Sequence, residues 1–91
     1  MEVGKKYYII AGNMVFLGEV IGGVSPLTPM TVKLTGAIRV GESSRSLTAL
    51  LRMGLNEDTV YDLLPDGITL TATAAMPWHH HIPNSKVTAG E

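Results

Sequence analysis

Trp78-His79-His80-His81 is the run in this sequence whose side chains could hold a metal ion. In an extended chain His79 and His81 project from the same side, and their imidazoles are common zinc ligands. Cysteine is absent and no carboxylate stands at ligand spacing, so further ligands would have to arrive from other copies of the chain. The same run reads as a polar, partly exposed C-terminal strand or tail, and we assign it no metal and expect no cofactor. Lys33, Arg39, Arg45 and Arg52 could form a basic stripe, and Tyr7, Tyr8 and Trp78 could stack on bases. Scattered cations on a solvated face need no function, however, and aromatic side chains serve a core or a subunit interface. Met14, Met30, Met53 and Met76 read as gap-fillers.

No catalytic constellation is present. The sequence has no nucleophile elbow, no Walker loop and no HExxH, and His80 has no spacing that ties it to Ser44 or Ser46. Gly18-Glu19-Val20-Ile21-Gly22-Gly23 lacks the Lys-Ser/Thr pair that meets phosphate and metal in a phosphate loop. A non-enzymatic protein is expected.

Any site must therefore be positioned by a small fold without staples. The chain has 91 residues, enough for one domain, which we place at residues 1–83 with a tail at 84–91. Seven Lys and Arg against eight Asp and Glu give a net charge of -1, which excludes a strongly cationic nucleic-acid clamp. No apolar run reaches the roughly 18 residues of a membrane span, and Lys5-Lys6 precede too few apolar residues for a signal sequence. The expectation is a cytoplasmic protein with no membrane partner. Apolar residues make up 45 % of the chain and charged residues 16 %, where about 25 % is usual. An under-charged surface on a domain this small predicts burial against copies of itself, hence a homo-oligomer.

The patterning is that of a mostly β protein. Residues 6–11 form a β-branched and aromatic run closed by Gly12-Asn13, and residues 14–21 form a second that stops at Gly22-Gly23. Both alternating sets of the second strand are apolar apart from Glu19, which predicts that a neighbouring subunit covers one of its faces. Two prolines make residues 25–29 a loop. Residues 30–40 then alternate, with Met30, Val32, Leu34, Ile38 and Val40 on one face and Thr31, Lys33, Thr35 and Arg39 on the other. Gly36 sits mid-strand, where a strand bends sharply or another backbone approaches, so a bent strand shared by two halves of a small barrel is predicted. Leu47, Leu50, Leu51 and Leu55 recur at helical spacing between Ser46 as N-cap and Gly54 as stop. Residues 56–64 fit a capped acid-first helix or a turn followed by a strand at 59–64. Pro65-Asp66-Gly67 ahead of the alternating residues 68–74 favours the strand, with a β-hairpin across the turn.

In this order the elements resemble those of the Sm and LSm proteins. Gly12 followed by Gly18-Glu19-Val20 is similar to that family's second strand. Met30-Thr31-Val32-Lys33-Leu34-Thr35-Gly36-Ala37 is similar to the Met-Asn-aliphatic-x-Leu-x-Asp-Ala run of its first motif, and Val60-Tyr61 through Gly67-Ile68 resembles its second. The resemblance, over residues 6–74, implies a small, strongly bent five-stranded open barrel with one short helix after the third strand. It implies a ring in which the fourth strand of one copy adds to the fifth of the next, with Thr59, Val60, Tyr61, Leu63, Ile68, Leu70 and Ala72 at the subunit interface. It also implies single-stranded RNA as a partner, at Met30, Thr31, Lys33, Asp66 and Gly67. Where the family carries an acid, an Asn and an Arg-Gly turn, this chain has Leu27, Thr31 and Asp66-Gly67. Those departures give the alternative, a purely structural homo-oligomeric ring or adaptor in a larger, for instance viral, assembly.

Overall fold

The computed structural model describes residues 2–22 and 30–83. The expected loop at 25–29, with Leu27, and the expected tail at 84–91 lie outside them. The elements are β1 (Lys6–Ala11), β2 (Met14–Gly22), β3 (Met30–Glu42), α1 (Leu47–Met53), β4 (Val60–Leu64), β5 (Ile68–Ala72) and β6 (Ala74–Pro77). All strand pairs are antiparallel and lie in one sheet of order β4-β3-β2-β1-β6, with β5 also on β3.

The thirteen-residue β3 organises the sheet. Its first part pairs with β5, from Met30↔Ala72 to Leu34↔Ile68, and its second part pairs with β4, from Ala37↔Leu64 to Glu42↔Val60. Between the two lies Gly36 at φ +54, a conformation open to glycine at little cost. Opposite, the β2 register slips around Gly18, where a Cβ would sit 3.0 Å from the Ala37 Cβ and 3.1 Å from the Leu34 Cβ. A left-handed residue on one strand and a bare backbone on the other let the sheet fold over. β3 is therefore shared between two ladders, one on each side of Gly36.

Its facing is not as predicted. Val32 and Leu34 are buried in one cluster with Ile9, Phe16, Val20, Ala37 and Ala72, whereas Ile38 is buried in a second with Tyr8, Leu17, Leu50 and Trp78. The extra residue at the bend shifts the two-residue alternation by one, so Ala37 takes over the face of Leu34, and Ile38 and Val40 turn to the opposite side.

Both sheet faces are consequently covered by the chain itself. Alternating β1 and β2 residues divide between the clusters, Ile9 and Phe16 to one and Tyr8 and Leu17 to the other. No neighbouring subunit is needed over β2: Leu50 and Leu51 of α1, with Trp78 and Ile82, cover its second face. The helix forms as its caps dictate, the Ser46 hydroxyl accepting from the Ala49 N–H at 3.3 Å and the Gly54 N–H donating to Leu50 at 2.8 Å.

Two further expectations change. Residues 60–64 are a strand, but β4 and β5 do not pair as a hairpin; they lie end to end along the two parts of β3. The bend makes two separate ladders available, and the Pro65-Asp66-Gly67 turn carries the chain from one to the other. The sheet also has six strands rather than five. After Ala72 the chain leaves β3, and at Ala74 it joins β1, from Ile10↔Ala74 to Tyr7↔Pro77. At the crossing, the Thr73 N–H and hydroxyl donate to the Ile10 carbonyl at 2.7 and 2.9 Å. Pro77 closes the last strand, a position that tolerates a missing donor.

Candidate functional site

The Pro65-Asp66-Gly67 turn is seated on β3. The Gly67 N–H donates to the Leu64 carbonyl at 2.9 Å, and Gly67 takes φ +75. A side chain there would run into the Leu34 carbonyl oxygen, so the turn can approach β3 this closely only with glycine. That seating brings Asp66 and Gly67 to Lys33. Together with Ile21, Leu34, Ile68 and Thr69 they line an open depression of about 300 Å³. Lys33 pairs with Thr69 in register, so the two exposed side chains share a face, while Leu34 and Ile68 pair one step along. Lys33 and Asp66 form no ion pair with one another; among the described residues the ion pair is Arg39–Asp62, at 2.8 Å.

Three of the residues expected to meet RNA are thus brought together from distant parts of the sequence. Thr31 is half-buried on the same strand, and Met30 opens β3 opposite Ala72. Of the residues expected at a subunit interface, Thr59 and Ala72 are buried within the chain. Tyr61, Leu63, Ile68 and Leu70 are half-buried, and Val60 is 57 % exposed on β4 at the sheet margin.

The basic stripe does not form. Arg39 is held by Asp62, its cross-strand partner, and the Arg45 guanidinium donates to the Gly54 carbonyl at 2.7 Å, closing the C-terminal end of α1. Arg52 is exposed on the helix.

The histidine run is divided. His80 is half-buried, its Nε2–H donating to the Leu51 carbonyl at 2.9 Å and its ring meeting Trp78 edge-on at 5.3 Å. The His80 carbonyl accepts from Lys6 Nζ at 2.7 Å. His80 therefore fastens the C-terminal segment to the helix end. His79 faces a depression of about 720 Å³ shared with Lys5, Lys6 and Glu19, whereas His81 faces another of that size with Tyr61, Glu57 and Asn56. The two imidazoles expected to act as a pair thus open onto different depressions. No group of three or more metal-ligating side chains occurs among the described residues.

Sequence reasoning missed a polar knot in the connection around α1. Thr59 Oγ1 donates to Asn56 Oδ1 at 2.6 Å, Ser43 Oγ donates to the same oxygen at 2.9 Å, and Asn56 Nδ2 donates to Ser44 Oγ at 2.8 Å. The knot ties the end of β3 to the start of β4, so both ends of the helical excursion are fixed. Asp58 sits beside it, and hydrogen bonding from the Ser44 hydroxyl holds its carboxyl below the usual range. The density of Ser, Asn and Thr in residues 43–59 is the one cue to it.

No family model, curated protein or solved structure significantly matches the chain. Among the described residues no helix is long and apolar enough to cross a membrane.

Proposed function

We propose that the chain is a non-enzymatic, Sm-like small barrel that assembles as a ring of identical copies and binds single-stranded RNA. The observation that carries this reading is the bent β3, which takes β4 on one half and β5 on the other and so seats the Asp66-Gly67 turn beside Lys33. The crossing at Thr73, where the chain passes from β3 to β1, supports the barrel by linking the two sides of the sheet. The position of β4 at the sheet margin, with Val60 exposed, supports strand addition between copies there. RNA enters at Met30, Thr31, Lys33, Asp66 and Gly67. With one lysine per copy at this site, binding depends on base contacts and on repetition around the ring more than on phosphate charge.

Native mass spectrometry of the full chain, with and without short oligoribonucleotides, tests both halves. A closed assembly of several copies that takes up RNA is the expected result. A monomer at micromolar concentration refutes the ring. An assembly that ignores oligo-U and oligo-A at low salt refutes the RNA half and leaves the structural adaptor.

A further inference from the structure

We propose that the depression between Lys33 and Asp66 reads the Watson–Crick edge of guanine; the inference rests on the single-stranded RNA reading above. The depression is about 300 Å³, at the lower end of ligand sites and suited to one base. Its apolar lining is Ile21, 51 % exposed and able to lie against a base face, and the half-buried Ile68, whereas the side chain of Leu34 belongs to the core. Its charged lining is one carboxylate and one ammonium, which share the depression without pairing. Lys33 is set by its register with Thr69, and Asp66 by the seat of Gly67 on Leu34.

A carboxylate has two acceptor oxygens and an ammonium has only donors. Their complement is an edge with two adjacent N–H donors and, beside them, a carbonyl. Guanine presents this with N1–H, N2–H and O6. Asp66 accepts the two N–H bonds in parallel, and Lys33 donates to O6. Uracil offers a single N–H flanked by two carbonyls that would meet the carboxylate oxygens. Adenine and cytosine each place an unprotonated ring nitrogen where the carboxylate needs a donor. An arginine in place of Asp66 would present donors there and reverse this preference.

The test uses fluorescence anisotropy of the full chain with labelled adenosine heptamers whose central residue is guanosine, inosine, adenosine or uridine. Inosine keeps N1–H and O6 and lacks the N2 amino group. In an open site, one charge-assisted hydrogen bond corresponds to about a tenfold difference in affinity. The expected order is guanosine above inosine by about that factor, with adenosine and uridine weakest. Asp66→Ala should bring the guanosine-to-inosine ratio to about one. Lys33→Ala should weaken both alike and keep the ratio, because both bases carry O6.

Titration with guanosine monophosphate separates a base within RNA from a free nucleotide. Saturable binding of the nucleotide without heptamer binding keeps the guanine site and overturns the RNA reading. Equal binding of all four heptamers overturns the guanine site and keeps RNA binding. Binding of neither heptamer nor nucleotide overturns both.

Discussion

Three glycine-to-alanine substitutions separate the two ways in which this fold uses glycine. Gly12 has φ +65 and nothing within 4 Å of an added Cβ, so Gly12→Ala carries the conformational cost alone, about 1–2 kcal/mol. Gly18 lies outside the positive-φ region, but its Cβ would meet those of Ala37 and Leu34 at 3.0 and 3.1 Å, so Gly18→Ala carries only overpacking, about 1–3 kcal/mol. Gly67 combines φ +75 with a collision against the Leu34 carbonyl oxygen. That atom belongs to a paired strand and cannot rotate away, so the two costs add to about 2–5 kcal/mol. Guanidinium unfolding followed by the fluorescence of Trp78, the sole tryptophan, measures all three, with an unchanged slope showing that each acts on stability alone. For a domain of this size each kcal/mol is about 4–8 °C in Tm, so Gly67→Ala should lose about 10 °C or more. If Gly67→Ala is no more damaging than Gly12→Ala, the turn is not seated on β3, and the placement of Asp66 beside Lys33 fails with it.

The remaining predictions concern the second core and the connection. Trp78, 2 % exposed and stacked on Tyr8 at 6.2 Å, should lose about 3–5 kcal/mol as Trp78→Ala. Trp78→Phe should stay below about 1.5 kcal/mol, because it also removes a buried Nε1–H that has no acceptor among the described residues; circular dichroism melts of both check this. Thr59→Val should cost about 1–2 kcal/mol by removing a buried donor from the polar knot, read by urea unfolding against Asn56→Ala, with which it should be less than additive. The lowered Asp58 carboxyl favours the folded state above the ordinary value of 3.8, and that contribution is lost as pH falls through the lower folded value. Asp58→Asn should therefore lower stability modestly at neutral pH and flatten its acid limb below about pH 4, the two proteins converging at low pH, as unfolding at stepped pH would show.

Legibility in the sequence followed how local the determining physics is. The Ser46 and Gly54 caps, the Gly12-Asn13 turn and the alternation of β5 are each decided within a few residues, and they appear as read. The choice of strand over helix for residues 60–64 rested on the turn that follows, which is also local. The alternation through β3 misled because the bulge at Gly36 inverts facing, and a bulge depends on the partner strand. The absent β4–β5 hairpin has the same origin, since a turn signature cannot say whether its flanking strands pair with each other or with a third. Lys33 and Asp66, expected together only from the family resemblance, line one depression. The fastening role of His80 depends on Leu51 and Lys6, which no spacing connects to it.

The double core changes what the composition implies. Low charge with abundant apolar residues predicts a face hidden by another copy when one face of a small sheet is assumed solvated. Here α1 and the segment from Trp78 to Ile82 cover that face, so Val15, Leu17, Ile38 and Val40 are accounted for within one chain. Among the described residues the exposed large apolar side chains are those of Val3, Met14, Ile21, Leu47, Met53 and Val60, borne on several different elements. In the proposed assembly, backbone pairing at strand margins is then the chief contact that the described residues offer, with Val60 as its apolar contribution. It follows that a charge at the exposed Val60 should weaken the proposed assembly while leaving both cores intact, whereas substitutions at Leu47 or Met53 should leave it unaffected.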